Sequence, residues 1–317
     1  MRIYKKIKAL IYIIDIICMM SLYFILISLF ENSISNLSAN DVIKSKNNPI
    51  FVLNLNANLG NKNEVNYNLY FELLNSDSLK FIKYIKTVIE SQQQLDSIKN
   101  EYGNLENNFI KYRVITTINR KDIKYFKIND TILIPDKFDS DINNYSIFPK
   151  YILELDSISK IVLVSNKFQC YSCYEFGEMV YFAACNTGSR VSPTPPGKYY
   201  SNWKRERHFS SIDPSWFMPY TVNLDRFGRA FHQFTMRGYP LSHSCIRQFM
   251  HDAAWIYHWA ETRNKKNNFQ YFITTKTPVI ILDRFDFSRR NGGPWLDFTD
   301  NCFRYEITET INRFLLK

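Results

Sequence analysis

His232 and Cys245 stand thirteen positions apart in the stretch His232-Gln-Phe-Thr-Met-Arg-Gly-Tyr-Pro-Leu-Ser242-His243-Ser244-Cys245-Ile246-Arg247. A thiol reacts as its anion, and an imidazole within hydrogen-bond reach is the base that makes the anion. The pair therefore reads as a nucleophile and its general base. Ile246, Phe249, Met250, Ala253, Ala254 and Tyr257 fall at helical spacing, which predicts a helix starting at the cysteine. A helix N-terminus and an imidazolium would both favour the thiolate over a thiol of ordinary pKa, about 8.5. Backbone N–H groups at such a helix start would also stabilise a developing oxyanion. The competing reading of Cys245 taken alone is a buried structural cysteine.

The elements that must position this pair follow from the periodicity. Residues 31–48 are polar and rich in Asn and Ser, as in a linker. Residues 50–71 alternate as a strand or two, 79–105 have helical spacing, and 110–135 return to short β-like runs, among them Val114 to Ile118 and Thr131 to Pro135. No chemistry is evident over 31–150, read as a mixed α+β region that packs, positions or inhibits. From residue 150 the pattern changes to close-spaced strands: one from Leu153, two around a turn at Phe176-Gly177-Glu178 within 161–180, one from Lys198, at least one over 218–232, and a closing pair over 271–282. Strands at this spacing with turn signals between them predict an all-β sandwich or barrel. The fold class expected is thus mainly β, with one helix after the nucleophile. Residues 151–285 form the catalytic domain and 286–317 a C-terminal extension.

The chain has 317 residues and a formal net charge of +10. No Lys/Arg run is interleaved with stacking aromatics as a nucleic-acid reader requires, so the charge suits an anionic envelope surface better. Residues 1–8 carry Arg2, Lys5, Lys6 and Lys8, and residues 9–30 are almost wholly apolar, interrupted by Asp15, Ser21 and Ser28. About 20 such residues span a bilayer. Positive charges before the span put the N-terminus in the cytoplasm and the bulk of the chain outside. A cleaved signal peptide would have a shorter apolar core and a small-residue cleavage site, and Leu29-Phe30-Glu31-Asn32 is a poor one. The expectation is a single-pass inner-membrane protein with a periplasmic or otherwise extracytoplasmic catalytic domain. Cys170-Tyr-Ser-Cys173 has metal-site or redox spacing, but residues three apart on a strand face opposite ways, and no second Cys/His pair completes a zinc set. Structural thiols, or a disulfide among Cys170, Cys173, Cys185 and Cys302, are expected, with no metal and no cofactor.

The motif Ser242-His243-Ser244-Cys245-Ile246-Arg247 resembles the signature of the L,D-transpeptidase catalytic domain, the YkuD-like family: a His, a loop, then Ser/Thr-His-Gly-Cys, an apolar residue and Arg or Asn. Asn186-Thr187-Gly188, Thr194-Pro195-Pro196-Gly197-Lys198-Tyr199, Asp252-Ala253 and Thr277-Pro278-Val279-Ile280-Ile281 resemble further family segments in the same order, covering about 155–285. The resemblance implies Cys245 as nucleophile and His232 as base. His243, Ser242 and Ser244 complete the catalytic segment: His243 shapes the site, and Ser242 orients an imidazole or caps the helix. Arg247 holds a substrate carboxylate or sits in an internal salt bridge. Gly238 and Tyr239, in the loop between histidine and cysteine, are assigned to substrate binding.

The reaction implied is acyl transfer on peptidoglycan stem peptides. The terminal D-Ala of a tetrapeptide leaves, and the acyl group passes to an amine to give a 3→3 cross-link. Water as acceptor would make the same machinery an L,D-carboxypeptidase or amidase, and loss of chemistry would leave a non-catalytic envelope-binding module. Two features depart from the family pattern. Ser244 stands where the family has Gly, at a cost of about 1 kcal/mol if φ is positive there. The His-to-Cys loop is also short.

Overall fold

The computed structural model describes residues 81–262, 276–289 and 292–315. The expected anchor over 9–30, the linker and the strands over 50–71 lie outside these residues. Among the described residues, no helix is long and apolar enough to cross a membrane.

The apolar runs after residue 160 become strands, three of which, Ile161–Ser165, Cys170–Glu175 and Pro278–Ile281, are buried on both faces. β3 (Ile161–Ser165), β4 (Cys170–Glu175), β5 (Glu178–Ala184), β6 (Gly197–Tyr200) and β11 (Pro278–Ile281) form one sheet in the order β5-β4-β3-β11-β6. β3 and β11 are parallel, and the other pairs are antiparallel. Side chains alternate across the sheet. Ile161, Leu163, Cys170, Tyr174 and Phe182 enter one core, while Val162, Val164, Tyr171, Cys173 and Ala183 enter the other. Fully burying such an aliphatic side chain contributes roughly 1.5–3 kcal/mol, so continuous apolar runs are what a doubly covered sheet requires.

The second core lies between this sheet and a smaller one, β10-β9-β8-β7, made of β7 (Trp203–Arg205), β8 (Thr221–Asn223), β9 (Ala230–Gln233) and β10 (Ile246–Gln248). Val222, Phe231 and Ile246 fill it from that side, and α3 (Met250–Trp259) adds Ile256. The first core is shared with residues before 150. α1 (Gln92–Tyr102) contributes Leu95, Ile98 and Tyr102, α2 (Phe109–Asn119) contributes Ile115 and Ile118, and α4 (Thr308–Leu315) contributes Ile311. β1 (Tyr84–Val88) and β2 (Thr131–Pro135) form an antiparallel pair beside them. The architecture is mainly β, with helices.

Four expectations about elements are corrected. Val114 to Ile118 is helical within α2 rather than β-like. Val114, Ile115, Thr116, Thr117 and Ile118 are all buried, so the helix has no polar face to give it a helical period. The hydroxyl of Thr116 donates to the Tyr112 carbonyl at 2.8 Å, a local bond that lets threonine sit inside a buried helix. Tyr84–Val88, read as helical, is strand β1 paired with β2. Leu153–Leu155 forms a single 3-10 turn rather than a strand. The helix expected to start at Cys245 starts at Met250, because Ile246–Gln248 is taken into β10 beside β9.

Candidate active site

β9 carries His232, and β10 begins one residue after Cys245. The two strands run parallel, with His232 opposite Arg247 and Phe231 opposite Ile246. This pairing brings the histidine and cysteine ends of the loop into one cleft of about 310 Å³, lined by Cys245, His232, Arg247, His208, Trp203 and Trp216 among others.

His232 is buried, only 3 % exposed. Its Nδ1 lies 2.9 Å from the Gln233 carbonyl oxygen. A carbonyl can only accept, so Nδ1 carries the proton and Nε2 is left with its lone pair. Burial, with Arg247 and His208 adding positive potential, pushes the imidazole pKa down to about 4, against the opposing pull of the Gln233 carbonyl. His232 is therefore a neutral imidazole at physiological pH, in the tautomer a general base needs.

The Cys245 thiol is part-exposed and donates toward the Gly228 carbonyl oxygen at 3.5 Å. Burial raises its pKa, opposed by the Ala230 backbone N–H and by Arg247 and Arg229. The expected thiolate–imidazolium pair is thus corrected: both partners rest neutral, since burial disfavours each charged form. The helix N-terminus is also absent from the cysteine, so it neither lowers the thiol pKa nor supplies oxyanion donors. In its place, the backbone N–H groups of Ser244 and Cys245 take no hydrogen-bond partner among the described residues.

The remaining predicted residues divide. Ser242 is buried and neither orients the imidazole nor caps a helix; its hydroxyl donates to the Cys245 carbonyl at 2.5 Å. His243 is exposed and packs against Trp216, with ring centroids 5.1 Å apart, at the mouth of the cleft. Ser244 has φ +71°, the left-handed region that favours glycine. Arg247 is buried and forms no ion pair among the described residues, so the internal salt bridge is not formed. Its guanidinium lies 4.6 Å from the Phe234 ring centroid and its NH1 lies 3.4 Å from Thr235 Oγ1. Gly238 and Tyr239 do not reach the cysteine cleft. They line a separate cavity, because the chain turns away after Thr235 and Lys121 pairs with Arg237 in an isolated bridge.

Several groups that hold the cleft in place carry little signal in the sequence. Asn186, in the Asn186-Thr187-Gly188 segment, is the strut of the loop. Its Oδ1 accepts from the backbone N–H groups of Arg237 and Gly238 at 2.8 and 3.2 Å, and its backbone exchanges two bonds with Arg247. Thr194 Oγ1 accepts from Gly188 N at 2.8 Å and donates to the Ser244 carbonyl at 3.0 Å, fastening the segment before the nucleophile. Gly188 is required by close approach: a Cβ there would lie 2.2 Å from the Ser192 carbonyl oxygen. Gly228 and Ala230 act through backbone atoms, which leave no side-chain signature. Cys170 and Cys173 point into opposite cores, and all five described cysteines are free.

A buried neutral imidazole of fixed tautomer, a thiol and a guanidinium without an ion pair among the described residues share one cleft, and the segment that builds it is similar to a known family. Residues 159–281 match the model of the L,D-transpeptidase catalytic domain, YkuD. The YkuD match takes in every residue of the cysteine cleft. An L,D-transpeptidase from Stackebrandtia nassauensis shares 20% identity over 41% of this chain and 58% of its own, with a TM-score of 0.34. One from Mycobacterium smegmatis shares 16% over 39% and 58%, with a TM-score of 0.31. L,D-transpeptidase 3 from Mycobacterium tuberculosis shares 17% over 50% and 76%, with a TM-score of 0.32. The chain thus spans 58% of the length of the first two. No curated protein matches the chain.

Proposed function

We propose that this protein is a peptidoglycan L,D-transpeptidase in which Cys245 forms an acyl-enzyme with a stem tetrapeptide. The observation that carries this reading is the unpaired, buried Arg247 in the same cleft as Cys245 and the neutral His232. A buried cation without a counter-ion is costly unless a ligand supplies one, and a guanidinium takes a carboxylate with two parallel bonds.

The substrate carboxylate docks on Arg247. Nε2 of His232 takes the Sγ proton as Sγ attacks the carbonyl carbon of residue three, so the neutral pair becomes charged only when acyl transfer begins. The unpartnered N–H groups of Ser244 and Cys245 receive the oxyanion. The C–N bond breaks, the departing D-Ala amine takes the proton from His232, and a thioester remains. An acceptor amine then gives its proton to His232, attacks the thioester carbon and releases the thiol, closing a 3→3 cross-link. The apolar run over 9–30, with Arg2, Lys5, Lys6 and Lys8 before it, supports an inner-membrane anchor with this domain outside the cytoplasm, where the substrate lies.

Incubation with a tetrapeptide muropeptide tests the reading by mass spectrometry. The expected results are a thioester adduct on the intact protein, absent in Cys245→Ala, and cross-linked dimers among the products. Tripeptides without dimers would make it a carboxypeptidase, and no adduct with no turnover would sink both forms. Protease digestion of intact spheroplasts tests the topology: the domain is cut from outside if the anchor is oriented as proposed.

A further inference from the structure

The second cavity, about 500 Å³, is larger than the cysteine cleft and lies outside it. It is built from three segments: residues 119–132, the Arg237-Gly238-Tyr239 loop and residues 292–296. Its size falls in the range of small-ligand sites, about 300–1,000 Å³. Among the described residues Asp130 is its only lining carboxylate, and it is already engaged, paired with Lys121 at 2.5 Å and accepting from the Lys127 backbone N–H at 2.9 Å. Lys127 and Arg237 form no ion pair among the described residues; Arg237 lies over the Tyr125 ring at 5.0 Å. The cavity therefore carries an uncompensated positive potential. Its walls also mix polar Asn119, Asn129 and Thr131 with apolar side chains, of which Tyr239 is 42 % exposed and Ile128 38 %. The buried indole Nε1 of Trp295 has no hydrogen-bond partner among the described residues.

One wall is a strand edge. β2 pairs with β1 alone, so its second edge has no strand partner among the described residues. At Leu133 that edge is closed by the Asn119 side chain, which bonds both the N–H and the carbonyl at 2.8 Å. At Thr131 it borders the cavity. An open strand edge takes an extended peptide through main-chain hydrogen bonds. Gly238, at φ +83°, lets the loop press onto Lys121, where a Cβ would come within 3.1 Å of the side chain.

We propose that this cavity is a second ligand site that binds a short acidic peptide, its main chain meeting the open end of β2 at Thr131 and its carboxylates against Lys127 and Arg237. The site does not depend on the chemistry at Cys245. It shares a strut with it: Asn186 holds the Arg237 and Gly238 N–H groups and also pairs with Arg247.

The test uses the full-length Cys245→Ala protein, so that turnover plays no part. The probe is the dipeptide Ala-Glu, with its diamide as the uncharged control, followed by calorimetry and tryptophan fluorescence. Ala-Glu is expected to bind saturably, at least tenfold more tightly than the diamide, and to weaken as salt rises. Lys127→Gln combined with Arg237→Gln, both exposed and so safe for folding, weakens it at least tenfold. Arg247→Gln leaves it unchanged, and Trp295→Phe removes the fluorescence response while binding persists. Equal affinity for dipeptide and diamide overturns the proposal. So does binding lost in Arg247→Gln and kept in the double variant, since the probe would then occupy the cysteine cleft. A protein inert toward muropeptides that still binds Ala-Glu would break the transpeptidase reading and leave this one standing.

Discussion

The two halves of the cysteine cleft are held by different means. His232 sits within β9, with neighbours on both sides in its sheet and its ring tautomer set by a backbone carbonyl. Cys245 sits at the end of a loop whose last residue before it is in left-handed backbone, tied down by three side chains: Ser242, Thr194 and, further up, Asn186. The histidine is placed by regular structure and the cysteine by individual hydrogen bonds. A change to the first should alter chemistry without moving the fold. A change to the second should alter position and stability together.

The largest effect tests the first half. His232→Gln keeps volume and polarity but has no titrating base, so turnover falls by about 10²–10⁴-fold while far-UV circular dichroism stays as in the parent. The pH profile sharpens the same point. As the proposed base His232 works in its neutral form, and its pKa is pushed down to about 4. The rate therefore holds as pH falls through the ordinary imidazole range and drops only near pH 4. An acid limb near 6.5 would break the claim that burial sets this base. Stability follows by linkage. The unfolded imidazole, with a pKa of about 6.5, binds its proton before the native one does. Stability is thus lost as pH falls from about 6.5 toward 4, and this loss disappears in His232→Gln.

Gly188→Ala strikes the second half. Its Cβ would meet the Ser192 carbonyl oxygen at 2.2 Å and the Thr194 nitrogen at 2.6 Å, both backbone atoms with no rotamer to relieve them. A cost of about 2–3 kcal/mol is expected in denaturant melts, and reaction of Cys245 with an alkylating reagent should change in step. Thr194→Val removes the hydroxyl that joins Gly188 to Ser244 and leaves a buried N–H without its acceptor, for about 1–2 kcal/mol. The turnover number should fall several-fold with the acid limb near pH 4 unmoved. A shifted limb would mean that Thr194 acts on His232 and that the two halves are not separate.

The same division explains what was legible in the sequence. The strands were readable because doubly buried β3 and β4 need unbroken apolar runs. That Cys245 and His232 would share a cleft was readable because only a few residue types carry such chemistry. What failed was the local setting. Ile246, Phe249, Met250 and Ala253 do fall at helical spacing, but β9 offers an open edge that takes the first three residues after Cys245 as a strand, and pairing overrides the pattern. The neutral state of the pair was hidden because burial depends on the whole fold. Gly238 and Tyr239 lie within the His-to-Cys loop, yet a turn after Thr235 sends them to another cavity, and no spacing rule marks that turn.

The smallest effect concerns Ser244, where the chain departs from the family pattern. With φ at +71°, its Cβ crowds its own backbone, at about 1 kcal/mol relative to glycine. Ser244→Gly relieves this strain but gives back freedom to the unfolded chain, so a net gain of about 0.5–1 kcal/mol is expected in thermal melts. Its effect on rate separates two ways of holding a nucleophile. If the Thr194 bond to the Ser244 carbonyl and the Ser242 bond to the Cys245 carbonyl fix the loop, turnover stays within about twofold, because neither bond uses the Ser244 side chain. If turnover falls more than that while stability rises, strain at Ser244 is itself part of how Cys245 is presented. The nucleophile would then be set by backbone conformation as well as by its struts.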